Sequence, residues 1–348
     1  MHLRPVHFLD APFAYPDGAA VRLAGGLQWF AAYEVIEQGA KRVVPVAEIA
    51  TLGARAAQIH ARVIAARPPL TLGERTLRFD QPVVAGILNL TPDSFSDGGV
   101  HRDDVAAATA AGMAMAGSGA AIVDVGGEST RPGAALVWEE DEAARVVPVI
   151  ERLAAAGALV SIDTRKALVM ERALGAGAAI VNDVSALLWD KRAAEVVARA
   201  GCPVIVMHSP DPAKGPHGGS GYRDVVTEVF DWLDARVAAI VAAGIDRSRI
   251  IVDPGIGFGK SLQDNLALLN ALAMFHGLGC PIMLGASRKR LIGALSNEAP
   301  VGERLGGSVA LALTGAAAGV QLLRVHDVAE TVQALRVWRG LRDRAFVG

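Results

Sequence analysis

The sequence predicts an α/β fold, a (β/α)8 TIM barrel preceded by an N-terminal accessory segment. Apolar, β-branched runs recur eight times along the chain: VVAGILN, AAIVDVGGES, LVSIDT, AIVNDVS, PVIVMHS, RIIVDPG, PIMLGAS and VQLLRVHD. Runs without alternation suit parallel strands buried on both faces. Between most of them lie Ala-rich stretches of helical spacing, often closed by Gly just before the next strand. Strands that alternate with helices imply parallel pairing and right-handed crossovers. Finally, each run ends in a polar residue. A doubly wound open sheet would concentrate such residues near one switch point, so the barrel is favoured.

Taken in order, the first strand ends at Asn89 and runs into TPDSFSDGG, a long polar connection. DDVAAATAAGMAMAGSG then reads as a helix, and DVVTEVFDWLDARVAAIVAAG as another after the fifth strand. Cys202 and Cys280, the only cysteines, open the similar phrases GCPVIVMHS and GCPIMLGAS. At strand starts they read as small buried apolar residues rather than disulfide partners or metal ligands. Ahead of the barrel domain (80–348), residues 1–79 form the accessory region, with an apolar-periodic helix candidate in VAEIATLGARAAQIHARVIAA.

Composition bounds the function. The 348 residues are 52% apolar and 20% charged, which makes a core-forming globular chain. A formal net charge of -2 gives no reason to expect nucleic acid or an anionic membrane as partner. The start lacks the basic-then-apolar order of a signal peptide, and no run is long enough to span a bilayer, so a cytoplasmic location is expected. PGIGFGKS nearly matches a phosphate-binding GxxxxGK[ST] loop, but Pro254 replaces the first Gly. The spacing of Gly255, Gly257 and Gly259 is not GxGxxG either, so both nucleotide signatures are set aside.

The polar strand ends are Asn89, Asp124 with Glu128 to Arg131, Asp163, Asn182, His208, Asp253, Ser287 with Arg288 and Lys289, and Arg324 with His326. In a barrel they converge on one mouth. Carboxylates, amides and cations together suit a ligand with a hydrogen-bonding heterocycle and an anionic group. Paired-His and HExxH spacings, the marks of a metal hydrolase, are absent from the sequence.

The motifs GILNLTPDSFSDGG, IVDVGGESTRPGA, VSIDTRK, IVNDVSAL, IIVDPGIGFGK, LGASRK and RVHDV resemble the dihydropteroate synthase family, in that family's order, over roughly residues 80–340. The resemblance implies an enzyme, commonly a homodimer, that joins 4-aminobenzoate to a dihydropterin methyl diphosphate and releases diphosphate. It implies Mg2+ as cofactor and inhibition by sulfonamides. Asp163, Asn182 and Asp253 would face the pterin edge as acceptors, Lys289 would add a donor, and Met207 would pack on the ring. Arg324, His326 and Asn89 would meet the diphosphate, with Asn89 also on the metal. Phe95 and Pro132 would wall the aminobenzoate pocket, Asp97 would support a cationic methylene, and Ser287 would receive the carboxylate. Thr130, Arg131 and Phe258 fall in the same motifs and count as substrate-binding. The loops TPDSFSDGGV and ESTRPGA fit a lid over the reactive centre. The phrase MHSPDPAKGPHGGSG departs from the family's MHMQG and puts the role of His208 in doubt. A pterin-binding methyltransferase, or a non-catalytic barrel acting in assembly, are the competing classes.

Overall fold

The computed structural model describes residues 1–90, 105–130, 133–211 and 221–347, the side chains of 346 and 347 excepted. The chain opens with β1 (His2–Leu9), β2 (Val21–Arg22), β3 (Trp29–Glu37) and β4 (Ala40–Pro45), an antiparallel sheet in which β3 pairs with the other three. A 3-10 turn (Val46–Leu52) and α1 (Ala54–Ile64) follow. The single helix expected across this stretch is divided at Gly53, whose φ of 92° lies where L side chains are strained. Leu3, Phe30, Tyr33, Val44, Ile59 and Val63 form the core between sheet and helix.

Next comes a short hairpin of β5 (Leu70–Leu72) and β6 (Arg75–Leu77). The barrel strands and helices then alternate. They are β7 (Val83–Asn89), α2 (Val105–Gly117), β8 (Ile122–Gly126), α3 (Glu139–Ala155), β9 (Val160–Asp163), α4 (Ala167–Gly175), β10 (Ile180–Asp183) and α5 (Ala193–Ala200). The second half holds β11 (Val204–Met207), α6 (Val225–Ala242), β12 (Ile250–Asp253), α7 (Leu262–Asn270), β13 (Met283–Leu284), α8 (Arg290–Leu295), α9 (Leu305–Ala317), β14 (Leu322–Val325) and α10 (Val328–Val347). Parallel pairing runs in the order β12-β11-β10-β9-β8-β7-β14-β13. The ring closes where Val252 bridges Ile282 and its N–H donates to Pro281 O at 2.9 Å.

Side-chain alternation sorts each strand into two populations. Val123, Val125, Val160, Ile162, Val204, Val206, Ile250 and Val252 face the helices and join the large outer core. Ala85, Ile122, Leu159, Ile180, Ile205, Ile251, Met283 and Leu322 face the axis, where Leu70, Leu77 and Phe79 complete their cluster. The hairpin therefore plugs the N-terminal end of the barrel. Burying each of its leucines removes apolar surface worth about 1.5–3 kcal/mol. Two residues further along five of these strands the axis-facing position turns polar, at Asp124, Ser161, Asn182, Asp253 and Arg324.

The N-terminal sheet packs on the barrel's flank. His2 Nε2 lies 2.7 Å from Asp231 Oδ1 on α6, and Arg62 Nη1 donates to Asp234 Oδ1 at 3.4 Å. Arg67 Nη2 donates to His276 O at 3.0 Å, tying the segment to the 3-10 stretch Leu272–Leu278.

Candidate active site

Register brings the polar strand ends together. Asn89 pairs with Gly126, Gly126 with Asp163, and Asp163 with Asn182, so four adjacent strands present one row at the mouth. Met207 pairs with Asp253 on the next strands round. All continue the inward parity of the apolar layer below them. Gly126 leaves a gap in the row: a Cβ there would stand 3.2 Å from Asn89 Oδ1 and 3.6 Å from Asp163 Cβ.

Beneath the row, Asp124 is a hub. It accepts from Ser161 Oγ at 2.5 Å, Asn182 Nδ2 at 3.1 Å and Arg324 Nε at 2.6 Å. Arg324 Nη2 continues to Asp163 Oδ2 at 2.5 Å. The guanidinium thus locks two carboxylates and, through Asp124, the amide of Asn182 into one network. Burial pushes the Asp163 carboxyl up to about 7, although Arg324 pulls it the other way. Burial alone would lower Arg324, but the charges of Asp124 and Asp163 raise it above the ordinary arginine range.

The other side of the mouth is built by the turn after β12. Asp253 Oδ1 accepts from Gly255 N at 2.7 Å, and burial raises the carboxyl while Lys289 opposes the rise. Lys289 donates to Ile256 O and lies 4.4 Å from the Phe258 ring centroid. Burial lowers its ammonium to about 8, with Asp253 acting against that. Ser287 Oγ accepts from His326 N at 3.2 Å and lies 3.1 Å from His326 Nδ1, so the last two strand ends meet.

An ion cluster supports the rim. Glu128 accepts from Arg165 Nε at 2.9 Å and Lys166 Nζ at 3.0 Å, and Lys166 also reaches Glu142 at 2.5 Å. Burial alone would raise Glu128, yet these donors hold it below its ordinary value. A cleft of about 650 Å³ lies outside this cluster, lined by Leu136, Trp138, Trp189 and Arg192 among others. Two of its three cations are already paired, Lys166 as above and Arg192 with Asp190 and Glu139. The inward polar network is the better candidate site.

The structure gathers Asn89, Asp163, Asn182, Met207, Asp253, Phe258, Ser287, Lys289, Arg324 and His326 at one end of the barrel. Thr130, half-buried, sits beyond β8. Phe95, Asp97, Arg131 and Pro132 lie outside the described residues. The ring of His208 points to α6, 5.0 Å edge-on to Trp232, and burial lowers it to about 3. Sequence reasoning gave no role to Asp124 beyond its polar position, and missed Ser161, Lys260 and Asn265. Lys260 stood in view within GFGKS, but as part of a discarded phosphate loop.

Among the described residues no group of three or more His, Cys, Asp and Glu side chains could hold a metal ion. Asn89 offers a single hard amide oxygen over the gap at Gly126. That donor suits Mg2+ carried chiefly by substrate oxygens and water rather than by a protein cage.

Comparison with known proteins agrees with this geometry. Residues 85–326 match the family model described as Pterin binding enzyme. A dihydropteroate synthase of Neisseria meningitidis serogroup B is 47% identical over 274 residues, covering 77% of this chain and 96% of that protein. The enzyme of Escherichia coli K12 is 45% identical over 263 residues, covering 75% and 92%. A Xanthomonas albilineans dihydropteroate synthase solved with 4-aminobenzoic acid superposes with a TM-score of 0.74 at 48% identity, covering 80% of this chain and 99% of that one. Fold, inward polar ring and extended similarity lead to one conclusion: the chain belongs to the dihydropteroate synthase family of pterin-binding enzymes.

Proposed function

We propose that this chain condenses 6-hydroxymethyl-7,8-dihydropterin diphosphate with 4-aminobenzoate to give 7,8-dihydropteroate and diphosphate. The observation that carries the reading is the ring of Asp163, Asn182 and Asp253 facing the barrel axis, with Lys289 beside it. Acceptors set edge-on suit the N–H groups of a pterin, and the Lys289 ammonium suits its carbonyl. A Xanthomonas albilineans relative was solved with 7,8-dihydropteroate, which supports the product. The curated relatives named synthases favour this transferase over the methyltransferase alternative.

In the reaction the methylene C–O bond breaks, the electron pair leaves with diphosphate, and the arylamine nitrogen forms the new C–N bond and gives up a proton. Arg324 and His326, two apart on β14 and its extension, share a face and supply positive charge and a donor for the leaving group. Arg324 does this while held by Asp124 and Asp163, so the pterin floor and the leaving-group site share one rigid guanidinium. Bound Mg2+, which Asn89 would help hold, neutralises charge on the diphosphate oxygens. Ser287 would take the aminobenzoate carboxylate, with Phe95 and Pro132 as walls. Thr130, Arg131, Phe95 and Asp97 would line the same centre from the two long loops. The same family reading makes the protein a cytoplasmic homodimer and a sulfonamide target, as in the Yersinia pestis relative solved with a sulfonamide drug.

A coupled assay of diphosphate release tests the reading. Release that depends on 4-aminobenzoate and Mg2+ is expected; release indifferent to the arylamine, or none, overturns it.

A further inference from the structure

The turn Pro254 to Lys260 places glycine at alternate positions, and three of its residues have positive φ: Gly255 at 72°, Gly257 at 83° and Gly259 at 57°. Two of these glycines are required by close approach as well. A Cβ on Gly255 would come to 2.0 Å from His208 O, and one on Gly257 to 2.9 Å from Lys289 Cδ. The turn is therefore wedged between the end of β11 and the stem of Lys289.

A backbone wound this way has no strand or helix partner for its carbonyls, and buried carbonyls need donors. Lys260 supplies them. Its Nζ donates to Gly255 O at 2.8 Å, Phe258 O at 3.1 Å and His208 O at 3.4 Å. Asn265, in the first turn of α7, adds a second tie: its Oδ1 accepts from Gly257 N at 2.6 Å while its Nδ2 donates to Ser261 O at 2.7 Å and Lys260 O at 3.2 Å. The turn so fixed touches two groups of the pterin site, Asp253 and Lys289. Its Gly255 N–H meets Asp253, its Ile256 carbonyl receives Lys289, and its Phe258 ring lies against the Lys289 ammonium.

We propose that Lys260 is a positioning residue for the condensation: by gathering the carbonyls of His208, Gly255 and Phe258 it fixes the turn that seats Asp253, Lys289 and Phe258. Its bonds run to the turn and to the end of β11, so it acts on substrate through those three side chains. Burial lowers the Lys260 ammonium to about 7, with Asp253 opposing and Lys289 adding to the fall. Loss of the ammonium would remove one donor from each of three carbonyls, leaving Gly255 O the Phe258 N–H at 3.2 Å, and would let the turn shift and the Lys289 amine with it.

The inference rests on the synthase reading, so wild-type turnover is measured first; its absence overturns that reading whatever Lys260 does. With turnover established, Lys260→Met keeps the stem and removes the charge. KM for the dihydropterin diphosphate is expected to rise at least about tenfold and kcat to fall, in protein whose circular dichroism matches wild type. A double-mutant cycle then separates positioning from bulk stability. In a Lys289→Met background, Lys260→Met should weaken pterin binding by less than about half its logarithmic effect in wild type, because the group it positions is gone. Additive losses, or kinetic constants within about twofold of wild type in folded Lys260→Met, overturn the proposal. If the Met variant does not fold, Lys260→Gln, which keeps an amide donor for Gly255 O, is read by the same two criteria.

Discussion

Asp253 shows how one side chain is committed at both ends. Its Oδ1 already accepts from Gly255 N, so the other oxygen is left for a ligand N–H. Asp253→Asn would keep its carbonyl toward Gly255 and turn its NH2 toward the pterin, donor against donor. A mispaired buried group costs about 1–3 kcal/mol, so calorimetry should show pterin affinity about 10- to 100-fold weaker with the fold intact. Unchanged affinity would remove Asp253 from the site. Asp163 adds a pH dependence with a definite sign. Its folded value is about 7, so it turns from acceptor carboxylate to carboxylic acid as pH falls through that point. Lys289 loses its ammonium as pH rises through about 8. The pH profile of kcat/KM should therefore peak between these values, and Asp163→Asn should flatten the acid limb. These residues were visible in the sequence because strand-end polarity is a one-dimensional signal. Lys260 stood in the sequence without a role, because its partners are backbone carbonyls, which no residue letter displays.

The hairpin β5–β6 carries a structural consequence at the element scale. Leu77 is buried among the axis-facing apolar layer, at the opposite end of the strands from the polar mouth. Leu77→Ala should lower the unfolding free energy by about 2–5 kcal/mol in urea melts while leaving KM values of the folded enzyme close to wild type. A change in KM without loss of stability would contradict a plug role. A chain shortened to begin at Pro68 keeps this hairpin, whereas one beginning at Leu77 loses β5 and opens the barrel floor. The second should melt lower than the first, and equal melting would show that the plug adds nothing. Element recognition succeeded for the barrel because burial on both faces writes continuous apolar runs. It failed for the N-terminal sheet: β1 reads HLRPVHFL and β4 reads AKRVVP, with mostly exposed positions on β4, so neither gives a run or a clean alternation. The helix expected from VAEIATLGARAAQIHARVIAA matched in composition, but periodicity alone gave no weight to the conformation at Gly53.

At the scale of the molecule, the N-terminal sheet and the barrel meet around His276, and this junction sets a stability test. His276 is fully buried: its Nε2 lies 3.1 Å from Ala318 O, and its carbonyl accepts from Arg67. Burial, helped by the Arg67 charge, lowers the imidazole from the ordinary 6.5 to about 3. In the unfolded chain the ring protonates near 6.5, so between 6.5 and 3 the unfolded state binds the extra proton. The stability His276 contributes is thus complete above 6.5 and is lost as pH falls toward 3. Other buried groups complicate the raw curve: His208 acts in the same direction, whereas Asp163 and Asp183, raised to about 7 and about 6, favour the folded state as pH falls. Comparison with His276→Gln at each pH cancels them, since distant sites contribute equally to both proteins. The wild-type advantage over His276→Gln should shrink below the unfolded-state value, with a slope approaching about 1.4 kcal/mol per pH unit for the single proton. Urea melts at several pH values across that range measure it directly. A difference independent of pH would mean that His276 stays charged or exposed, and that the sheet and barrel are not sealed against each other at this point.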